Sequence, residues 1–266
     1  MMQLTGYEDQ HLHTTGSPDG RSTPEEMRDR ARALGLRGIT ITDHCEAEQY
    51  FTHAYYRSVP QAYAQADALR RAGGPVEVRV GIEIGQPRSN PEVCAQLLAA
   101  NDYDLVLASL HRLPDTADFY TLSADLTAAA SLMRRYCAEL ERIVAWGQFD
   151  VLAHLTYPLR LIAGAHHLKL PRETYRDALD RVLRAAAQAG KGIEVNTQGM
   201  ILPDAEVLRR FRELGGRYVT MGSDAHSARA LGHGLPDGLR AIQDAGFTEL
   251  TVYRHRKPYA IAFPGV

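Results

Sequence analysis

The sequence predicts an α/β protein, a parallel barrel of seven or eight strands surrounded by helices. Three observations lead there. Short segments rich in β-branched residues alternate with helix-like segments from one end of the chain to the other, the pattern of a parallel sheet. The 266 residues contain no low-complexity linker or repeat, and that length suits one barrel of about 250 residues. Nearly every strand-like segment ends in a histidine or a carboxylate, as expected if all strands opened onto one functional face. Residues 1–266 are therefore read as one domain.

Residues 7–13 give the first strand. Alternate residues of a strand share a face, so His11 and His13 project together. Gly16, Pro18, Asp19 and Gly20 mark a loop. Thr23 then caps a helix, with Pro24 at its first position, Glu26 closing a capping box and Gly35 stopping it. The β-branched run 38–42 is the second strand, followed at once by Asp43 and His44. A Tyr- and Ala-rich helix is expected over 50–72, broken by Gly73-Gly74-Pro75. Strand three covers 76–84 and carries Glu83 near its end. A helix at 90–100 leads to strand four at 105–109, then Leu110 and His111. A longer helix spans 126–145, and strand five, 149–153, ends at His154. The helix 171–189, with Gly190 in the stop position, precedes strand six at 192–195. A helix at 204–214 stops at Gly215-Gly216. Strand seven, 218–221, runs into Gly222-Ser223-Asp224-Ala225-His226. A last helix precedes Ala245-Gly246, and 249–253 is a short closing strand.

In a parallel barrel these strand ends converge. His11, His13, Asp19, His44, Glu83, His111, His154, Asp224 and His226 then meet from seven separate places in the chain. Burying so many ionisable groups is costly unless cations compensate them. Imidazole and carboxylate are the common donors for zinc, iron and manganese. Nine donors exceed what one ion takes. Two or three divalent transition metal ions (Zn, Fe or Mn) are expected, with Glu83 as the bridge because a carboxylate has two oxygens.

Composition narrows the partners. A net charge of −2 gives no broad basic footprint for nucleic acid. No run approaches the roughly 18 apolar residues of a membrane span, and the start MMQLTGYEDQ lacks a secretory signal's basic and apolar regions. Cys45, Cys94 and Cys137 are odd in number and far apart, so no disulfide framework is expected and a reducing cytoplasm is the expected location. The expected partner is a small molecule, neither nucleic acid nor membrane.

Several stretches together resemble the polymerase and histidinol phosphatase (PHP) superfamily. They are Asp9-Gln10-His11-Leu12-His13-Thr14, Ser17-Pro18-Asp19-Gly20, Thr42-Asp43-His44, Gly81-Ile82-Glu83, Ser109-Leu110-His111, Ala153-His154 and Ser223-Asp224-Ala225-His226. The resemblance implies a distorted (β/α)7 barrel with a trinuclear site. It implies one ion on His11, His13, Glu83 and Asp224, a second on Asp19, His44 and His226, and a third on Glu83, His111 and His154. Among these, Glu83, Asp224 and His226 are expected to be catalytic as well as ligating.

The stretches 81–87, 146–160 and 194–197 look most like stand-alone histidinol-phosphate phosphatases. The implied reaction is hydrolysis of a small phosphate monoester, L-histidinol phosphate, by a metal-bridging hydroxide attacking phosphorus. Arg160, whose planar fork suits a phosphate, and His233, between two glycines downstream, are the expected substrate contacts. One departure stands out. Those enzymes commonly carry a basic residue and a longer loop after the Asn-Thr pair, whereas Gln198-Gly199-Met200-Ile201-Leu202-Pro203 is short and uncharged. The alternative is therefore a PHP phosphoesterase acting on another small phosphate or nucleotide. A metal-stabilised structural module is disfavoured by the complete donor set.

Overall fold

The computed structural model describes residues 4–114, 126–166, 169–199 and 202–263. The elements run β1 (Glu8–Leu12), α1 (Pro24–Leu34), β2 (Gly38–Ile41), β3 (His44–Glu46), α2 (Tyr55–Ala72), β4 (Glu77–Gly85), α3 (Pro91–Ala100) and β5 (Leu105–Ser109). They continue with α4 (Leu126–Trp146), β6 (Val151–Leu152), α5 (Tyr157–His166), α6 (Arg176–Gln188), β7 (Gly192–Asn196), α7 (Ala205–Glu213), β8 (Val219–Gly222), α8 (Leu235–Asp244), β9 (Glu249–Arg254) and β10 (Lys257–Ala262).

The parallel sheet runs β1-β2-β4-β5-β6-β7-β8, with β3 also on β4. Ile41 lies opposite Val80 and His44 opposite Glu83, the same offset, so β2 and β3 are two halves of one strand interrupted at Thr42-Asp43. Asp43 uses that break to accept hydrogen bonds from Thr14 N (2.6 Å), Thr14 Oγ1 (2.7 Å) and Ser17 Oγ (2.8 Å), which fixes the loop after β1. Leu12 bridges Ala225, and Asp224 N donates to His11 O at 2.8 Å, joining the last strand to the first. Counting β2–β3 as one, this is the distorted (β/α)7 barrel.

Helix chemistry follows the sequence. The Thr23–Glu26 capping box is formed in both directions, and Gly35 ends α1 at φ 77°. Met27, Ala31 and Leu34 form the buried stripe of α1. Ala178, Leu179, Val182, Leu183 and Ala186 do the same for α6, which packs on α4.

Four expectations change. The helix expected from residue 50 begins at Tyr55, because Ala54 takes a left-handed conformation (φ 57°) after a 3-10 turn at Ala47–Gln49. The helix expected over 171–189 divides into a 3-10 turn, Arg172–Thr174, and α6. Strand five contracts to Val151–Leu152, since His154 at φ 29° turns the chain away; α5, unanticipated, then buries Tyr157, Leu161 and Ile162. The closing strand is not part of the barrel: β9 pairs antiparallel with β10 as a separate hairpin.

That hairpin covers the end of the barrel where the strands begin. Gln10 Nε2 donates to Thr251 O (2.9 Å) and Val219 N to Thr251 Oγ1 (3.2 Å). Tyr253 is buried among Leu105, Leu107, Val151 and Ala153. Arg79, 2% exposed, donates to Glu8 and to Thr40 Oγ1 (3.2 Å) and forms an ion pair with Glu77 Oε2 (3.0 Å). The barrel is thus filled below and open above, where the strand ends meet.

Candidate metal centre

Glu83, on β4, is fully buried at the middle of the open end. Its Oε1 lies 2.9 Å from His154 Nε2 and 3.3 Å from His111 Nε2. Its Oε2 lies 2.9 Å from His44 Nδ1, 3.3 Å from His11 Nε2 and 3.5 Å from His13 Nε2. Each carboxylate oxygen therefore faces its own cluster of imidazole nitrogens. Asp224 Oδ1 stands 3.1 Å from His13 Nε2 and 3.6 Å from His11 Nε2. Asp19 Oδ2 stands 3.1 Å from His226 Nε2 and 3.8 Å from His44 Nε2.

Among the described residues, three groups hold donor atoms near enough for a common ion. They are His11, His13 and Glu83; Glu83, His111 and His154; and His13, His44 and His226. The third group has His13 where the expected set has Asp19, whose side chain is 57% exposed at the rim.

The backbone bends to make this convergence. The pairing of β1 shifts register between Asp9 and Leu12. His154 (φ 29°) and Asp224 (φ 52°) adopt positive φ, rare for residues with a Cβ and typical of functional positions. His154 N is held by Glu194 Oε2 at 2.8 Å. A Cβ on Gly222 would collide with that of His11, so the strand beside β1 needs a glycine there.

Two carboxylates were not anticipated as site residues. Glu194 bonds His11 Nδ1 at 2.6 Å from β7, the sixth expected strand, which seemed to contribute no donor. The signal was a glutamate between Ile193 and Val195 in an otherwise buried strand. Glu46 bonds His111 Nδ1 at 2.8 Å.

Burial alone lowers an imidazole's pKa. It does so for His13, which falls to about 3 with the charge of His44 adding to the effect. Burial also acts on His11, His44, His111 and His226, but facing carboxylates outweigh it and raise all four. Burial would raise Asp19, yet the His226 hydrogen bond and the His44 charge hold it at about 2. Glu83 is likewise held well below the usual carboxylate range against burial by His44, His11 and His111. The basin is short of positive charge. His44 Nδ1, 2.9 Å from Glu83 Oε2, has no hydrogen-bond geometry to any group. Imidazole and carboxylate donors that converge in three groups and draw positive charge toward them fit divalent metal ions.

A cavity of about 700 Å³ opens over the basin, lined also by Arg21, His53, Tyr55, Tyr157, Arg160 and Gln198. Arg160 stacks 4.9 Å over the Tyr157 ring, and its Nη1 donates to Gln198 Oε1 (2.6 Å) and Gln198 O (3.2 Å). His233, the other expected substrate contact, is not among the residues that line this cavity. It is exposed, and its carbonyl accepts the Thr197 hydroxyl at 2.5 Å. No helix among the described residues is long and apolar enough to cross a membrane.

Residues 9–198 match the PHP domain model. A probable histidinol-phosphatase of Deinococcus radiodurans is 30% identical over 96% of this chain and 99% of its own. One from Thermotoga maritima is 26% identical over 92% and 94%. A crystal structure of histidinol phosphate phosphatase from Lactococcus lactis, complexed with zinc, L-histidinol and phosphate, aligns with TM-score 0.75. It covers 96% of this chain and 99% of that one at 24% identity, which establishes the shared fold. By the extent of these matches, the chain belongs to the PHP domain family.

Proposed function

We propose that this protein is a metal-dependent phosphatase that hydrolyses L-histidinol phosphate to L-histidinol and phosphate. The observation that carries the reading is the placement of Glu83, one oxygen toward each of two imidazole clusters, on the floor of a cavity with Arg160 at its edge. The substrate comes from the near-full-length relatives named histidinol-phosphatase.

His11, His13, Glu83 and Asp224 would hold one ion, and Glu83, His111 and His154 another. His44 and His226, with Asp19 or His13, would hold a third. Bound divalent ions supply Lewis acidity and lower the pKa of water near neutrality. The chain's own residues do the rest. Glu83 keeps the ion positions adjacent, so charge developing on phosphoryl oxygens meets a preorganised site. Glu194 fixes the His11 ring through Nδ1 and leaves Nε2 turned to Glu83. Arg160, braced by Tyr157 and Gln198, is oriented to take a phosphate oxygen. The free, buried Cys45, Cys94 and Cys137 support a cytoplasmic setting.

A second reading, another small phosphate monoester as substrate, is favoured by one feature: the partner of Arg160 is the neutral Gln198 rather than a second cation. Phosphate release from L-histidinol phosphate and from a panel of sugar, nucleotide and amino-alcohol phosphates separates the two. The highest kcat/KM is expected for L-histidinol phosphate. A higher value for any other member assigns the second reading.

A further inference from the structure

Glu46 is a carboxylate only 13% exposed that the reading above leaves without a task. It ends β3, opposite Gly85 of β4. A Cβ on Gly85 would collide with the Glu46 carboxylate, so the glycine makes room for it. Glu46 Oε1 lies 2.8 Å from His111 Nδ1, and its Oε2 accepts from Gln86 Nε2 at 2.8 Å. Gln86 in turn accepts the backbone N–H of His111 on its Oε1 at 3.0 Å, from a left-handed conformation at φ 46°. Ring and backbone of His111 are therefore both tied to the Glu46–Gln86 pair.

His111 needs that support. It lies beyond the end of β5, and its side chain, 23% exposed, is the most exposed of the imidazoles around Glu83. The Glu194–His11 pair repeats the geometry from the other side, with Nδ1 on a carboxylate and Nε2 3.3 Å from Glu83. For His111 that last distance is also 3.3 Å, to the other Glu83 oxygen. Glu46 is not itself placed as a ligand. Both its oxygens are engaged, and none of the donor groups among the described residues includes it.

We propose that Glu46 is a positioning residue: it fixes His111 in the tautomer that presents Nε2 to Glu83, and so governs the ion position of Glu83, His111 and His154. This rests on the metal-centre reading above. Carboxylates that hold a ligating histidine commonly change metal affinity 10- to 100-fold when removed.

The test uses zinc and the full chain, stripped and reloaded, with bound metal measured by elemental analysis and by titration against a chromophoric chelator. Glu46→Leu, which fills similar space, is expected to weaken one ion about 10- to 100-fold and leave the others unchanged. Glu46→Gln, which keeps an acceptor for His111 Nδ1, is expected to stay within about tenfold of wild type at that ion. A role in packing alone would not separate these two variants. Wild-type affinity for every ion in Glu46→Leu overturns the proposal. Should Glu46→Leu not fold, Gln86→Leu decides: the same ion weakened supports it, and wild-type affinity overturns it. A wild-type chain that binds no zinc overturns the metal centre and this proposal together. Because zinc is read without substrate, a chain that binds zinc but ignores L-histidinol phosphate overturns only the substrate assignment.

Discussion

Single side chains decide whether this basin is a metal centre. Glu83→Gln keeps the shape of the central residue and removes its charge. We expect ions to be lost from both sides of Glu83 and turnover to fall by orders of magnitude, checked by metal content together with kcat. Near-normal turnover at full metal content would refute the bridge. Arg160→Ala should leave the metals in place. A lost hydrogen bond between charged groups costs about 1.5–3 kcal/mol, so kcat/KM should fall roughly 10- to 150-fold. The imidazoles that gather around Glu83 were legible in the sequence because they stand at or near strand ends, where side-chain type alone is informative. The supporting residues were less legible. Glu46 and Glu194 bond histidines distant in sequence, His111 and His11, and only the folded barrel makes them neighbours. At His233 the sequence does not show what the backbone does: between its flanking glycines, the carbonyl accepts the Thr197 hydroxyl.

At the scale of elements, the alternation of strands and helices gave the barrel, and cap chemistry placed α1 accurately. What escaped was structure set by tertiary context. His44–Glu46 falls between the expected strand 38–42 and the expected helix 50–72, yet it continues β2 in the same register along β4. In α5, Pro158 falls at the second position and Gly164 lies inside, which hides a helix that burial of Leu161 and Ile162 stabilises. Lys257–Ala262 has no buried face to reveal a strand, because β10 is mostly exposed, with Ile261 partly buried against the core, and pairs with β9. That hairpin supplies a prediction at its own scale. Tyr253→Ala removes a buried ring far from Glu83 and should cost about 3–5 kcal/mol of stability. Denaturant melts should show the loss, while kcat of the folded variant stays within about twofold of wild type. A large fall in kcat would mean that the lower barrel does more than support the site.

For the molecule as a whole, bound metal is also a folding ligand. An ion present at about 100 times its Kd stabilises the native state by about 2.7 kcal/mol. Stripping the metals should therefore lower Tm by roughly 5–10 °C per ion, and an unchanged Tm in scanning calorimetry would show that no tight metal site exists. The barrel's lower end, closed by the β9–β10 hairpin with Tyr253 and Arg79 inside, has a kinetic consequence. Among the described residues, traffic to Glu83 passes through the open upper end. In the proposed reaction, phosphate sits deepest, between the basin and Arg160, and the alcohol lies nearer the entrance. The alcohol must then depart first and phosphate last, so the species that meets the next substrate is the phosphate-bound or empty enzyme. Inorganic phosphate should raise the apparent KM and leave kcat unchanged, whereas L-histidinol should depress kcat. The reverse pattern in product-inhibition plots would mean that the two products pass each other in a channel that the closed lower end does not provide.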